Sequence, residues 1–170
     1  VLSGLVSLIV SFFTTKLTIS IEHEKHRVPY TIRFRDECAR TKRILAENLN
    51  ETVNMGDEQE RRYKLLSKLL DFVSSAKELF FSEYPACKPY MTKQLRRNIS
   101  DESNKFRRII QSVSDIRMEM ISKNTLACHD EIYEQFQMSQ TEFIKYLADE
   151  AFYAVDRAEK STEDWLNKNT

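Results

Sequence analysis

The sequence predicts an all-α protein in which one N-terminal transmembrane helix is followed by a cytoplasmic bundle of about four long helices. Three observations support this fold class. Glycine occurs twice and proline three times among 170 residues, which leaves few natural turns. Charged residues make up 31% of the chain, and beyond residue 31 apolar residues recur among them at helical spacing. The first 21 residues contain one charge, Lys16.

The predicted transmembrane helix covers residues 1–21, VLSGLVSLIVSFFTTKLTISI. At about 1.5 Å per residue it measures roughly 30 Å, the thickness of the hydrocarbon core of a bilayer. Lys16 lies near its end, where the ammonium group can reach lipid headgroups. A cleaved signal peptide, a buried helix of a soluble protein and a plain anchor remain alternatives. Since the chain begins with Val1 and not Met, we expect further residues before it.

Small and hydroxylated residues line one side of this helix. Ser3, Ser7, Ser11 and Thr15 are spaced four apart, and Gly4 is next to the first of them. In lipid the hydrophobic effect does not draw helices together, so such faces pack closely against other helices or line water. We therefore predict a helix-packing or pore-lining surface in a homo-oligomer within membrane lipid. If these hydroxyls only bond their own backbone, the helix is a plain anchor.

Basic residues dominate the chain next to the predicted span, and by the positive-inside rule they retain the following domain in the cytoplasm. We therefore expect a single-pass protein of the inner (cytoplasmic) membrane. Residues 22–30 are predicted to form a polar juxtamembrane junction in which Pro29 interrupts the helix. Residues 31–170 form the predicted cytoplasmic helical domain. The eight basic residues of this region are Lys16, Lys25, Arg27, Arg33, Arg35, Arg40, Lys42 and Arg43.

Four helices are predicted within the domain from their apolar stripes and their capping residues. Gly56 and Asp57 are expected to end the first and cap the second. Two prolines in YPACKPY predict a loop, and Thr92 is a good N-cap for the helix that follows. The predicted helices are Thr31 to about Val53, Glu58 to Ser82, Thr92 to about Ser122 with a weak point at 98–103, and Ser139 or Thr141 through Trp165.

Composition argues against several functional classes. The formal net charge is zero with interspersed signs, so no direct nucleic-acid binding is expected. Three widely spaced cysteines, Cys38, Cys87 and Cys128, favour reduced thiols over a disulfide framework. His23 and His26 lack further ligands at metal spacing, and no phosphate-binding loop or nucleophile elbow occurs. We therefore expect no metal site and no cofactor.

The segment KNTLACHDE, residues 123–131, is the one place with possible chemistry. His129 is a potential general acid or base, and Lys123 with Asn124 could steady a phosphate on a shared helix face, a pattern suited to metal-independent RNA cleavage. The alternative is a surface histidine held by Asp130 and Glu131. Cys128 is interpreted as a packing residue, because neighbours on a helix point about 100° apart.

Residues 123–129, KNTLACH, are similar to the Arg-x(4–6)-His motif of HEPN ribonuclease domains, with Lys123 in place of Arg. With its single span and helical domain, the chain resembles the small membrane accessory proteins encoded beside the RNA-guided RNase of type VI-B CRISPR systems. The resemblance implies a HEPN-like bundle that forms a ring-shaped pore and depolarises the inner membrane in antiviral defence. Lys lacks the planar fork with which Arg holds phosphate, so we expect no enzymatic activity. The alternative is a membrane-anchored helical interaction module without conductance or enzymatic activity.

Overall fold

The computed structural model describes residues 2–50, 58–123 and 140–170, with side chains at 7, 9–46, 64, 67–115 and 142–170. Every element in these ranges is helical, which confirms the all-α class. A π turn and a 3₁₀ turn connect the helices in the middle of the chain. The elements are α1 (Leu2–Asn50), α2 (Glu58–Glu78), the π turn (Leu79–Glu83), α3 (Tyr84–Cys87), the 3₁₀ turn (Lys88–Tyr90), α4 (Lys93–Lys123) and α5 (Gln140–Asn169).

The second half of α1 belongs to the bundle and packs against α5 and α2. Its buried residues alternate at spacings of three and four, as expected for one helix face. Two of them are threonines whose hydroxyls donate to backbone carbonyls one turn earlier: Thr31 to Arg27 and Thr41 to Glu37, each at 2.8 Å. These bonds allow polar side chains to be buried at little cost. The buried residues are Thr31, Phe34, Cys38, Thr41 and Leu45.

Helix α5 is the central packing element, because it contacts α1, α2 and α4. Four fully buried alanines, Ala148, Ala151, Ala154 and Ala158, lie on it and let neighbouring backbones approach closely. Larger side chains from the other helices fill the space above them. The ring centroids of Phe80 and Phe106, both fully buried, lie 5.2 Å apart between the π turn and α4. This aromatic pair forms the middle of the core.

Ion pairs join the helices around this core. On α1, Lys42 Nζ lies 2.6 Å from both Asp156 Oδ1 and Glu159 Oε2 of α5. Glu102 of α4 accepts a hydrogen bond from Arg157 of α5 at 2.8 Å. Because these carboxylates are largely buried, each pairing fixes the register between two helices.

Pro29 does not interrupt helix α1, so the helix break predicted at the junction is wrong. Helix α1 runs through Pro29 without a gap, and the expected first domain helix is its continuation. Proline removes one backbone donor, which leaves the carbonyl of Lys25 without its usual partner. Both residues are exposed, so solvent can satisfy that carbonyl. The division into residues 1–21, 22–30 and 31–170 remains a prediction.

The loop predicted for YPACKPY is also wrong, since this segment is helical. Pro85 and Pro89 each occupy one of the first positions of a short helical element, the positions at which a helix tolerates proline best. The π turn just before Pro85 ends α2 and is attached to α1 by Arg33, which donates to Glu83 at 2.7 Å. Tyr84 donates to the carbonyl of Arg96 at 2.7 Å. The segment therefore forms a bridge between α1 and α4.

The other predicted helices agree with the structure where it describes them. Thr92 caps α4, since its hydroxyl accepts the amide of Leu95 at 3.3 Å. The weak point predicted at residues 98–103 is wrong, because α4 continues through them as one α-helix. Helix α5 begins and ends within a few residues of its expected bounds. Gly56 and Asp57 lie outside the described residues.

Within the described ranges, no helix contains a segment with both the length and the apolar character needed to cross a membrane. Ser and Thr residues interrupt the apolar run at frequent intervals from Ser7 onward, and Lys16 adds a charge. The described part of the structure therefore does not support the transmembrane helix predicted at residues 1–21.

Candidate functional site

The N-terminal part of α1, residues 2–21, is here called the extension. From residue 9 to residue 22 no side chain is buried, whereas burial begins further along the same helix. Large apolar side chains on the extension are between 47 and 66% exposed. Soluble monomers rarely expose so many contiguous apolar groups, which instead mark contact with a membrane or another protein. These side chains are Ile9, Val10, Phe12, Phe13, Leu17, Ile19 and Ile21.

The two sides of the extension differ in chemistry. At about 100° per residue, the exposed apolar side chains occupy a broad arc, and Ser7, Ser11, Thr14, Thr15 and Thr18 occupy the opposite side. These five residues are here called the hydroxyl stripe. All five are exposed, so the predicted stripe of Ser7, Ser11 and Thr15 is present on the surface and is wider than expected. The prediction considered only residues spaced four apart, and it therefore omitted Thr14 and Thr18.

The hydroxyls of the stripe fall into two groups. Three threonines donate to backbone carbonyls of their own helix: Thr14 to Val10 and Thr15 to Ser11 at 2.8 Å, and Thr18 to Thr14 at 2.9 Å. Ser7 and Ser11 form no side-chain hydrogen bond within the described part of the chain. The threonines therefore present mainly their methyl groups, while the two serines retain donors for another molecule.

Lys16 lies on the apolar side of the extension. Its Nζ is 4.5 Å from the centroid of the Phe12 ring, one turn earlier. The aliphatic stem covers apolar surface, and the ring face stabilises the charge. Lys16 is therefore accommodated on the apolar arc, with no acidic partner among the described residues.

An aromatic cluster lies where the extension meets the bundle. The rings of Tyr30 and Tyr90 are stacked with centroids 4.0 Å apart, and His23 and His26 approach Tyr90 at 5.3 and 5.8 Å. The neighbouring phenol of Tyr30 raises the pKa of Tyr90. We call these four residues the collar. It attaches the 3₁₀ turn to α1 just beyond the extension.

The collar was not predicted from the sequence. His23, His26 and Tyr30 recur at spacings of three and four, which could have indicated one helix face. Their partner Tyr90 lies in a segment predicted to be a loop, so the contact was not visible in the pattern. The acidic partners of the basic residues after Lys16 were also missed, for example Glu83 opposite Arg33.

The predicted catalytic motif cannot be placed by this structure. Lys123 ends α4, and nothing is described of its side chain. Asn124 and His129 lie outside the described residues, as do Asp130, Glu131 and Cys128. Ser3 and Gly4 are helical, but their side chains fall outside the described set. Among the residues described, no group of three or more His, Cys, Asp and Glu side chains is arranged to hold a metal ion.

Cys38 and Cys87 are buried free thiols. Burial raises the pKa of Cys87 to about 11, and burial together with the charge of Glu159 raises the pKa of Cys38 well above its ordinary value. Both are protonated at neutral pH and therefore poor nucleophiles. They are packing residues of the core.

Comparisons with known proteins identified no relative. No family model matches the chain, no curated protein matches it, and no solved structure matches its fold.

Proposed function

We propose that this protein is a membrane effector whose extension enters lipid and associates with the extensions of identical subunits. The observation that carries this proposal is the exposed apolar arc of the extension, with Phe13 and Leu17 about two-thirds exposed at 66 and 65%. Transfer of such side chains from water to lipid is favourable by about 1.5–3 kcal/mol each. No described part of the same chain covers them.

Self-association explains how a helix with a polar side can enter lipid. Alone, the extension would expose the hydroxyl stripe to hydrocarbon. In a ring of subunits the stripe faces other helices or a central channel, and the apolar arc faces lipid. Ser7 and Ser11, whose donors are unused within the subunit, are suited to hydrogen bonds between helices. We therefore place the subunit contact along these two serines.

The second candidate function is an anchored interaction module without conductance. It is favoured by the hydrogen bonds of Thr14, Thr15 and Thr18, because hydroxyls engaged with their own backbone offer few donors to water in a channel. Both candidates require membrane entry. They differ in whether the assembled protein conducts ions.

Changing Phe13 and Leu17 together to glutamate is expected to weaken partitioning into phosphatidylcholine vesicles by at least about 100-fold. Two large apolar contributions are lost and two charges must enter or avoid lipid. Vesicle flotation of the purified full chain measures this. Tyr153→Glu on α5, which changes a side chain 49% exposed elsewhere on the surface, is the matched control and should float like the wild type. Equal flotation of all three proteins would overturn membrane entry through the extension.

The stripe is tested separately by changing Ser7 and Ser11 to leucine. We expect the wild type to form rings in detergent, as electron microscopy would show, and the serine variant to form none and to cause no leak from dye-loaded vesicles. The control changes Thr14 and Thr18 to valine, which keeps their shape and removes only hydroxyls already bonded within the helix. Intact rings and unchanged leak in the serine variant would exclude the stripe as the contact. If the wild type forms rings but its vesicles do not leak, the anchored module without conductance is favoured.

The resemblance to type VI-B accessory proteins extends the proposal to antiviral defence. In bacteria that carry the RNA-guided RNase and its target RNA, expression of this chain is expected to depolarise the inner membrane once the RNase is triggered. A potential-sensitive dye reports the change. His129→Ala should leave the response intact, because Lys123 replaces the arginine of the nuclease motif. If the dye signal after triggering of the RNase is the same in bacteria with and without this protein, the proposed link to the RNase is excluded.

A further inference from the structure

A cavity of about 690 Å³ opens to solvent at the base of the extension, beside the collar. Its walls come from three parts of the chain: α1 around the end of the extension, the segment of α3 and the 3₁₀ turn, and the start of α4. Because α1 is continuous from the extension into this wall, the cavity lies at the end of the apolar arc. A ligand bound there would lie next to the lipid or protein that contacts the extension.

The cavity is strongly basic. Arg27, Lys88, Lys93 and Arg96 line it together with His23, and no carboxylate is among its described lining residues. The formal net charge of the whole chain is zero, so this is a local concentration of one sign. A concave surface lined by charges of a single sign attracts a counterion of the opposite sign. The expected ligand is an anion.

The cations lining the cavity are little neutralised by the protein itself. Arg27 Nη1 approaches Glu24 only at 3.9 Å. Its Nε is buried and has no hydrogen-bond acceptor in the part of the chain that the structure describes. Neither Lys93 nor Arg96 has an ion-pair partner among those residues, in contrast to Arg33, Arg40 and Lys42 on α1.

The start of α4 adds to this field. The first turn contains no acidic residue, and the positive end of a 31-residue helix faces the cavity through Thr92 and Lys93. Amides at the first positions of a helix lack intrahelical acceptors and can bind an oxyanion. The hydroxyl of the capping Thr92 accepts the amide of Leu95. The backbone amides of the helix that precede Leu95 therefore remain free to bind a ligand.

The walls of the cavity are held in place by contacts that do not use its cations. Tyr84 donates to the carbonyl of Arg96 at 2.7 Å and lies 2.8 Å from Ser100 Oγ, which fixes the first turns of α4. The stacked rings of Tyr30 and Tyr90 fix the 3₁₀ turn against α1. The basic side chains are therefore mounted on a framework that is ordered before any ligand arrives.

We propose that this cavity binds the phosphate group of an anionic phospholipid. Tetrahedral phosphate matches a guanidinium donor from Arg27, a second from Arg96, the ammonium groups of Lys88 and Lys93, and the amides at the start of α4. A phosphate could also come from solution. The choice of lipid as its source rests on the proposed function, since an extension that enters lipid places the cavity at the headgroups.

Two binding experiments on the full chain separate the phosphate site from its source. Flotation with vesicles of phosphatidylcholine alone, and of phosphatidylcholine with phosphatidylglycerol, measures the preference for anionic lipid. Titration of the detergent-solubilised protein with inorganic phosphate, against chloride at equal ionic strength, measures the shift in Tm. We expect a preference for phosphatidylglycerol and a rise in Tm with phosphate.

The variants are matched in charge. Changing both Arg27 and Arg96 to glutamine should reduce the preference for phosphatidylglycerol by at least about tenfold and abolish the Tm shift. The control changes Lys25 and Arg97, both exposed neighbours outside the cavity, to glutamine and should retain both effects. Lys93→Gln is a second variant on an exposed side chain, whose folding is expected to be unaffected, and it should weaken both effects.

Equal losses in the control would overturn the cavity site, because the preference would then reflect diffuse charge. A Tm shift that depends on Arg27 and Arg96 without any lipid preference would overturn the lipid source and leave a site for soluble phosphate. Binding of single-stranded RNA that depends on Arg27 and Arg96, without any lipid preference, would also overturn the lipid source. If the wild type floats with neither vesicle, the proposed function fails, and the phosphate titration alone decides whether the cavity binds an oxyanion.

Discussion

Replacing Phe80 with alanine is expected to lower the free energy of unfolding by about 3–5 kcal/mol. The side chain is only 1% exposed, and its ring lies 5.2 Å from that of Phe106 across the contact between the π turn and α4. Neighbouring side chains from several helices cannot collapse into the space at once. The substitution therefore loses both the transfer free energy of the ring and the contacts around the cavity that remains.

Phe81 provides the matched control for this prediction. It is the next residue, it is only half-buried, and its ring is covered on one side by Arg107 at 5.4 Å. Phe81→Ala is expected to cost about 1–2 kcal/mol, because less surface returns to water and solvent can fill the gap. Urea unfolding followed by circular dichroism measures both. Equal losses for the two variants would contradict the position assigned to Phe80.

Replacing Lys42 with alanine is expected to cost about 2–4 kcal/mol at pH 7. Glu159, only 8% exposed, would lie in the contact between α1 and α5 without its hydrogen bond of 2.6 Å to Lys42. Asp156 would still have Lys160, which pairs with it at 2.8 Å. The penalty is therefore mainly that of a buried carboxylate left without its cation.

Lys160→Ala is the control, because its side chain is 68% exposed and pairs within one helix. Such pairs contribute only about 0.3–0.5 kcal/mol. If both lysine variants lose equal stability, the interhelical pairing does not stabilise the contact between α1 and α5.

The cost of Lys42→Ala should depend on pH in a defined direction. Partial burial opposes ionisation of Asp156, but hydrogen bonds from Lys160 and Lys42 outweigh it and lower its pKa. A lowered carboxyl pKa contributes stability above the pKa of the unfolded chain and loses it as the pH falls through the folded value. The difference between wild type and variant should therefore shrink below about pH 4. A difference that stays constant down to pH 3 would contradict this account.

Helical spacing was sufficient to predict the class and most of the helices. Leu69, Val73 and Ala76 recur at spacings of four and three in the second helix, as an apolar stripe requires, and all three are buried. Thr92 was recognised as an N-cap from its residue type alone. These features depend on short-range backbone preferences and on apolar periodicity, which can be read without knowing what lies opposite.

The behaviour of proline could not be predicted in the same way. Pro29 and Pro85 were both expected to interrupt helices, and neither does. The cost of a missing amide proton depends on whether the freed carbonyl is exposed and on the position of proline within the turn. Both conditions are set by neighbouring elements and not by the local sequence.

The sequence by itself determined that this protein is helical, that its first 21 residues are unusually apolar and that hydroxyls repeat along one side of them. Only the tertiary structure decided that this segment continues without interruption into the first helix of the bundle. It also showed that no described part of the chain packs against the apolar arc. It also placed Arg27 of α1 and Arg96 of α4, which are far apart in the sequence, in the lining of one cavity. Periodicity reports which face of a helix is apolar, whereas the groups that meet across helices depend on packing.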